Sequence, residues 1–146
     1  MKELSESVGE ERIRHGLQEI LHGSESDFIA FAGPAGHHGS MKWIAVIGSL
    51  NGKVEHMRIQ PGIGIGGTVL RHGTVCLVNG WKNTSLLREC PVILAEKLVS
   101  ALGLPVPGSH PYYRGGIVLL GRRKHQPFTE EEAQRISSLL LKRGGR

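Results

Sequence analysis

Two stretches of this sequence could hold an anion without any charged side chain. Gly62-Ile63-Gly64-Ile65-Gly66-Gly67 leads into the pattern of a short helix, and Pro91 leads into another. A helix start presents unpaired backbone N–H groups and a partial positive charge. Two such starts brought together make an anion site. Ile65, Val92 and the face of Trp43 would make the setting apolar. That suits a weakly hydrated monovalent anion and penalises a strongly hydrated dianion. The glycines also suit close packing of a helix on a sheet, and Trp43 also reads as core. The residues alone leave both open.

Other chemistry is poorly supported by spacing. Gly62, Gly64 and Gly67 satisfy G-x-G-x-x-G, but Gly73 cuts the following helix short. Leu87 stands where a dinucleotide site needs an acidic residue about 20 positions on. His37 and His38 are adjacent in a glycine loop and lack the i, i+4 spacing of a helical metal pair, so no metal is expected. Cys76 lies in an apolar strand and reads as a small buried hydrophobe. Cys90 precedes a helix start, the place that favours a reactive thiol, though packing is the preferred reading. No Ser/His/Asp constellation stands out. The chain is expected to bind rather than catalyse, with no cofactor.

The elements that must position these residues follow from periodicity and punctuation. Ser7-Val8-Gly9-Glu10 fits a capping box, and Ile13, Leu17, Ile20 and Leu21 give one helical face ending at Gly23. Phe28–Ala32 and Met41–Ser49 read as strands, and Asn51-Gly52 predicts a hairpin into 54–60. Short helices are expected over Gly67–Arg71 and Pro91–Val99, the second with proline at its first position. Strands are expected at Thr74–Val78, Ala101–Val106 and Gly115–Arg122. Thr129 and Glu132 form a second capping box, with Phe128 as its hydrophobic staple, opening a helix with Ala133, Ile136, Leu139 and Leu140 on one stripe. These elements predict an α+β fold in one domain, 1–146. Its central antiparallel sheet has about five to six strands, with the N- and C-terminal helices packed on one face.

Composition narrows the setting. The chain has 146 residues, 39% hydrophobic and 21% charged, which fits a globular domain. Eighteen Lys and Arg against 13 acidic residues give a net charge of +5. The densest basic clusters, Arg122-Arg123-Lys124 and Lys142-Arg143, lack interleaved aromatics for stacking bases, so they read as solvated surface and no nucleic acid is expected. Lys2, Glu3, Glu6, Glu10 and Glu11 at the start do not suit a signal peptide. No apolar run has membrane-spanning length. Two cysteines do not make a disulfide framework. A cytoplasmic location is expected.

From Lys42 onward the chain resembles the GAF family. The stretch Trp43-Ile44-Ala45-Val46-Ile47-Gly48-Ser49, then Met57 to Val69 with its glycine run, is similar to that family's strand, hairpin and G-x-G-[ILV]-[AS]-G-x-V pattern. Pro91 to Leu98 resembles a second family signature. Within the family the likeness is to stand-alone nitrate receptors, which modulate a partner sensor histidine kinase. The resemblance implies a GAF-like sheet with short helices and loops forming a pocket on the face away from the terminal helices. It implies a ligand site at Trp43, Ile65, Gly66, Cys90 and Val92, a bound nitrate or other small anion, and a histidine-kinase partner, and it leaves room for a homodimer. Gly66 stands where those receptors tend to carry alanine and Cys90 where an aromatic is usual, so the pocket should be wider. The alternatives within the family are a free methionine sulfoxide reductase and a ligand-free dimerisation module.

Overall fold

The computed structural model describes residues 2–34, 41–59, 69, 73–79, 90–107 and 115–144. The glycine run with Ile65 and Gly66, and the loop with His37 and His38, lie outside the described residues. Helix α1 (Lys2–Gly23) opens the chain, followed by β1 (Phe28–Pro34) and β2 (Met41–Ile47). A 3-10 turn, Lys53–His56, leads into β3 (Arg58–Ile59), and β4 (Cys76–Asn79) comes next. Then come α2 (Pro91–Glu96), β5 (Ser100–Pro105), β6 (Ile117–Arg122) and α3 (Glu130–Gly144).

The strands make one six-stranded sheet in the order β3-β2-β1-β6-β5-β4. Every pairing is antiparallel. β1 and β6 are the central pair, with Phe31 opposite Val118. The sheet edges are its two shortest strands, β3 and β4.

Alternation along the strands separates two cores. Ile29, Phe31, Leu102, Leu104, Val118 and Leu120 point to one face and pack with Leu17 and Ile20 of α1 and Ala133, Ile136 and Leu140 of α3. The two terminal helices also touch each other. Phe28, Ala30, Ala32, Ile117 and Leu119 point to the other face, where Val69, Cys90, Val92 and Ile93 cover them. The fold is therefore α+β, with the sheet covered as expected on its helical face.

α3 starts as its sequence predicts. The Glu132 N–H donates to Thr129 Oγ1 at 3.1 Å, and the Thr129 N–H donates to Glu132 Oε1 at 3.0 Å. Phe128 is buried in the same core as Ala133, completing the staple.

Three sequence-based expectations are corrected. Helix α1 begins at Lys2, so Ser7 and Glu10 lie inside it and not at its start. Lys2 to Glu6 hold neither proline nor glycine, and the helix runs through them. The Asn51-Gly52 signal does not close a two-residue hairpin. The Asn51 side chain accepts from the Lys53 N–H at 3.0 Å, Gly52 takes a left-handed conformation (φ 71°), and a 3-10 turn follows that buries Val54 completely. Burial of Val54 overrides the turn preference, and among the described residues of this stretch Arg58 and Ile59 form the strand. Finally, Arg122 and Arg123 are not solvated surface: Arg122 is fully buried and Arg123 is ion-paired.

Candidate functional site

Trp43 sits beside an irregularity in β2. Phe31 pairs with Ala45 and Ala32 with Trp43, so Ile44 is an extra residue, a β-bulge. The bulge resets the alternation. Met41 and Trp43 point to the face of α2, Ala45 to the helical face, and Val46 back to the α2 face.

Cys90 is the N-cap of α2. Its backbone is extended, no side chain caps the helix, and its carbonyl accepts from the Leu94 N–H at 3.2 Å. Pro91 follows at the first helical position, where its missing N–H costs nothing. α2 then stops after six residues, short of the expected Val99. Lys97 adopts a left-handed conformation (φ 53°), the Leu98 N–H reaches the Ile93 carbonyl at 3.0 Å, and the Lys97 N–H reaches that of Leu94 at 3.3 Å. This is a Schellman stop built on a residue with a side chain.

Trp43, Cys90 and Val92 are distant in sequence yet share one buried cluster, at 3%, 3% and 5% exposure. Val69, the one described residue of the helix expected at Gly67–Arg71, joins them. Its carbonyl accepts from the Gly73 N–H at 2.7 Å, and Gly73 has φ 65°. Trp43 is packed as core here. A groove of about 610 Å³ reaches Trp43 from the β2–β3 edge, between Lys42, Glu55, His56 and Arg58. Cys76, half-buried, packs against the same cluster. Burial pushes its thiol above the ordinary range, and the nearby Cys90 adds to the effect. Cys76 is therefore held as a thiol, a poor nucleophile at neutral pH.

No protein-family model matches the sequence, and comparison with curated proteins gives no match. Solved structures do match. The GAF domain/HD domain protein of Geobacter sulfurreducens is similar at TM-score 0.71 with 17% identity, covering 93% of this chain and 89% of that one. The chain has the GAF fold. Among GAF-type structures, NreA of Staphylococcus aureus, mutated in its nitrate-binding site, is similar at TM-score 0.71 with 25% identity over 86% of this chain and 98% of that one. The type II free methionine-R-sulfoxide reductase of Thermoplasma acidophilum is similar at TM-score 0.69 with 18% identity over 92% of this chain and 88% of that one.

Sequence reasoning missed the charged residue that anchors α2. Glu96, the last residue of α2, is fully buried. It accepts from the Leu50 N–H at 2.8 Å and from Ser49 Oγ, and pairs with Arg123 at 2.7 Å. A lone glutamate in a short helix reads as solvent-facing. The available signal was the small, turn-forming Ser49 and a glycine at position 48, both able to approach it. Among the described residues, no helix is long and apolar enough to cross a membrane, and no cluster of three metal-ligating side chains occurs.

Proposed function

We propose that the chain is a small-ligand sensor that takes a small monovalent anion, nitrate first, on the α2 face of its sheet, and acts through a protein partner. The observation that carries this reading is the gathering of Trp43, Cys90 and Val92 in one cluster opposite the terminal helices. The likeness to a protein with a nitrate-binding site supports the choice of ligand. In this reading backbone N–H groups near Ile65-Gly66 and Val92 hold the anion, and Trp43 forms an apolar wall. Cys90 leaves room beside it. A sensor histidine kinase is the proposed partner, and the setting is cytoplasmic.

Charge-assisted hydrogen bonds of this kind contribute about 1.5–3 kcal/mol each before desolvation. A few of them reach micromolar affinity, roughly 8 kcal/mol. Calorimetric titration with nitrate, nitrite and chloride tests the proposal. Micromolar binding of nitrate, weakened in Trp43→Phe, is the expected result. No heat from any of the three anions overturns it. Phenylalanine is the better substitution because Trp43 is buried, and truncation to alanine would cost about 3–5 kcal/mol of stability.

The fold neighbour that reduces free methionine sulfoxide favours a second reading, an enzyme using Cys90 as nucleophile and Cys76 to resolve the sulfenic acid. The raised pKa of Cys76 weighs against it. Thioredoxin-dependent reduction of free methionine sulfoxide that disappears in Cys90→Ser would establish the enzyme and remove the sensor.

A further inference from the structure

Two consecutive residues at the end of β6 serve opposite faces of the sheet. Arg123 turns to the α2 side. Its Nε donates to the Glu96 carbonyl at 2.8 Å, and Nη2 donates to Glu96 Oε1 at 2.7 Å and to the Gly48 carbonyl at 2.8 Å. Its own backbone N–H is fixed by the Asp27 carboxylate at 2.8 Å. Arg122 turns to the helical side. Its Nη2 donates to the Ser24 carbonyl just past the end of α1 and to Glu132 Oε2 in the first turn of α3, both at 2.7 Å. Nη1 reaches the carbonyls of Gln126 and Pro127 at 3.2 and 3.1 Å, and the guanidinium lies 3.9 Å over the Phe128 ring.

We propose that Arg122 and Arg123 form a two-armed link that ties the position of α2, and so of Cys90 and Val92, to the junction where α1 ends and α3 begins. As a route for ligand signals the link rests on the sensor reading above, while its mechanical part stands on geometry alone. α2 has six residues and no side-chain cap, so it has little stability of its own. Its C-terminal residue carries the buried carboxylate. A shift of α2 must therefore either break charge-assisted bonds to a fully buried carboxylate or carry Arg123 with it. β6 is paired on both sides, so the strand itself cannot slide. The connection is its end, where the two arginines share a peptide unit held by the Asp27 carboxylate at its N–H and by the Val99 N–H at its carbonyl. Motion of one guanidinium reaches the other through that unit, on the far side of the sheet.

Energetics point the same way. Buried ion pairs add little net stability compared with apolar residues of the same size, and their better-attested role is to specify one arrangement. Arg122 Nε is buried with no partner among the described residues, so this arm is not optimised for stability. Two such pairs on adjacent residues, one facing the site helix and one facing the terminal helices, have the layout of a coupling element.

Amide hydrogen exchange of the full chain tests the link. The reporters are the Ala133 N–H, bonded to the Thr129 carbonyl at 2.9 Å, and the Ser24 N–H, bonded to the Ile20 carbonyl at 2.9 Å. The references are Ala30 and Leu119 in the central strand pair. In Glu96→Gln the reporters are expected to exchange about tenfold faster, and in the milder Ser49→Ala about threefold faster, with the references changed by less than about twofold. Reporters that do not change, or reporters and references that quicken equally as general destabilisation dictates, overturn the link. If Glu96→Gln does not fold, Ser49→Ala decides. Nitrate is the ligand probe. Where it binds, it should slow the two reporters in the parent and not in the variants; binding heat without slowed reporters overturns the link. If nitrate gives no heat while the variants still quicken the reporters selectively, the ligand proposal fails and the link stands.

Discussion

Replacing Arg122 with methionine separates two views of this residue sharply. Read as one of three consecutive basic residues, Arg122 is surface, and its loss should stay within about 0.5 kcal/mol. In the structure it is fully buried, and its guanidinium holds Ser24, Gln126, Pro127 and Glu132 while covering Phe128. Methionine fills the space of the stem but leaves the buried Ser24 carbonyl without its donor, at a cost of about 1–3 kcal/mol. The contact over Phe128 is worth about 0.5–2 kcal/mol more. Glu132 is partly exposed and regains water, which softens its share. The sum is about 1.5–5 kcal/mol, a range that includes the usual cost of removing one partner from a buried pair. For a chain of this size that lowers the melting temperature by roughly 5–15 °C. Arg122→Lys keeps the charge but not the fork, and should fall between parent and methionine variant. Thermal melts followed by circular dichroism, with urea titration for the free energy, make the measurement. A methionine variant melting within about 2 °C of the parent refutes the reasoning.

Three further outcomes follow from particular residues. The Arg122 hydrogen bond holds the Glu132 carboxyl below its ordinary value of 4.5, so its stabilisation is full above that value and is lost as pH falls through the lowered one; the gap in melting temperature between parent and Glu132→Gln should be open at pH 7 and narrow towards pH 3. Lys97→Gly should raise stability by about 1 kcal/mol in urea titration, because glycine takes the left-handed conformation at this helix stop without strain. Gly48→Ala should cost about 2 kcal/mol or more by the same titration, because φ is 83° and a Cβ would lie 2.2 Å from the Asp27 carbonyl oxygen.

Much of the fold was legible because its signals are local. The Thr129–Glu132 capping box, the Phe128 staple and Pro91 at the start of α2 all depend on neighbours within a few residues. The strands of the two cores follow from short apolar runs bounded by turn residues. What escaped depends on partners far along the chain. The antiparallel return after Asn51 forms, but without the tight two-residue turn, because Val54 is needed in a core that β2 and α2 share. The basic cluster at 122–124 misled because Arg122 meets Ser24 and Arg123 meets Glu96 only after folding. Of the candidate site, Trp43, Cys90 and Val92 were found through the family likeness and are brought together by the fold. Glu96 had no sequence signal strong enough to distinguish it from a surface glutamate.

The charge at the β3 edge limits how this molecule can assemble. Among the described residues β3 has two and β4 four, against six or seven in the inner strands. At the β3 edge Arg58 stands directly opposite Lys42, so an approaching strand meets two cations side by side. Short, charged edges are how sheets discourage uncontrolled stacking of one chain on the next. A sheet finished in this way gives neighbouring copies little template for amyloid-like growth. Higher-order assembly of the chain is then left to side-chain surfaces, which can be selective in a way that an open backbone ladder cannot.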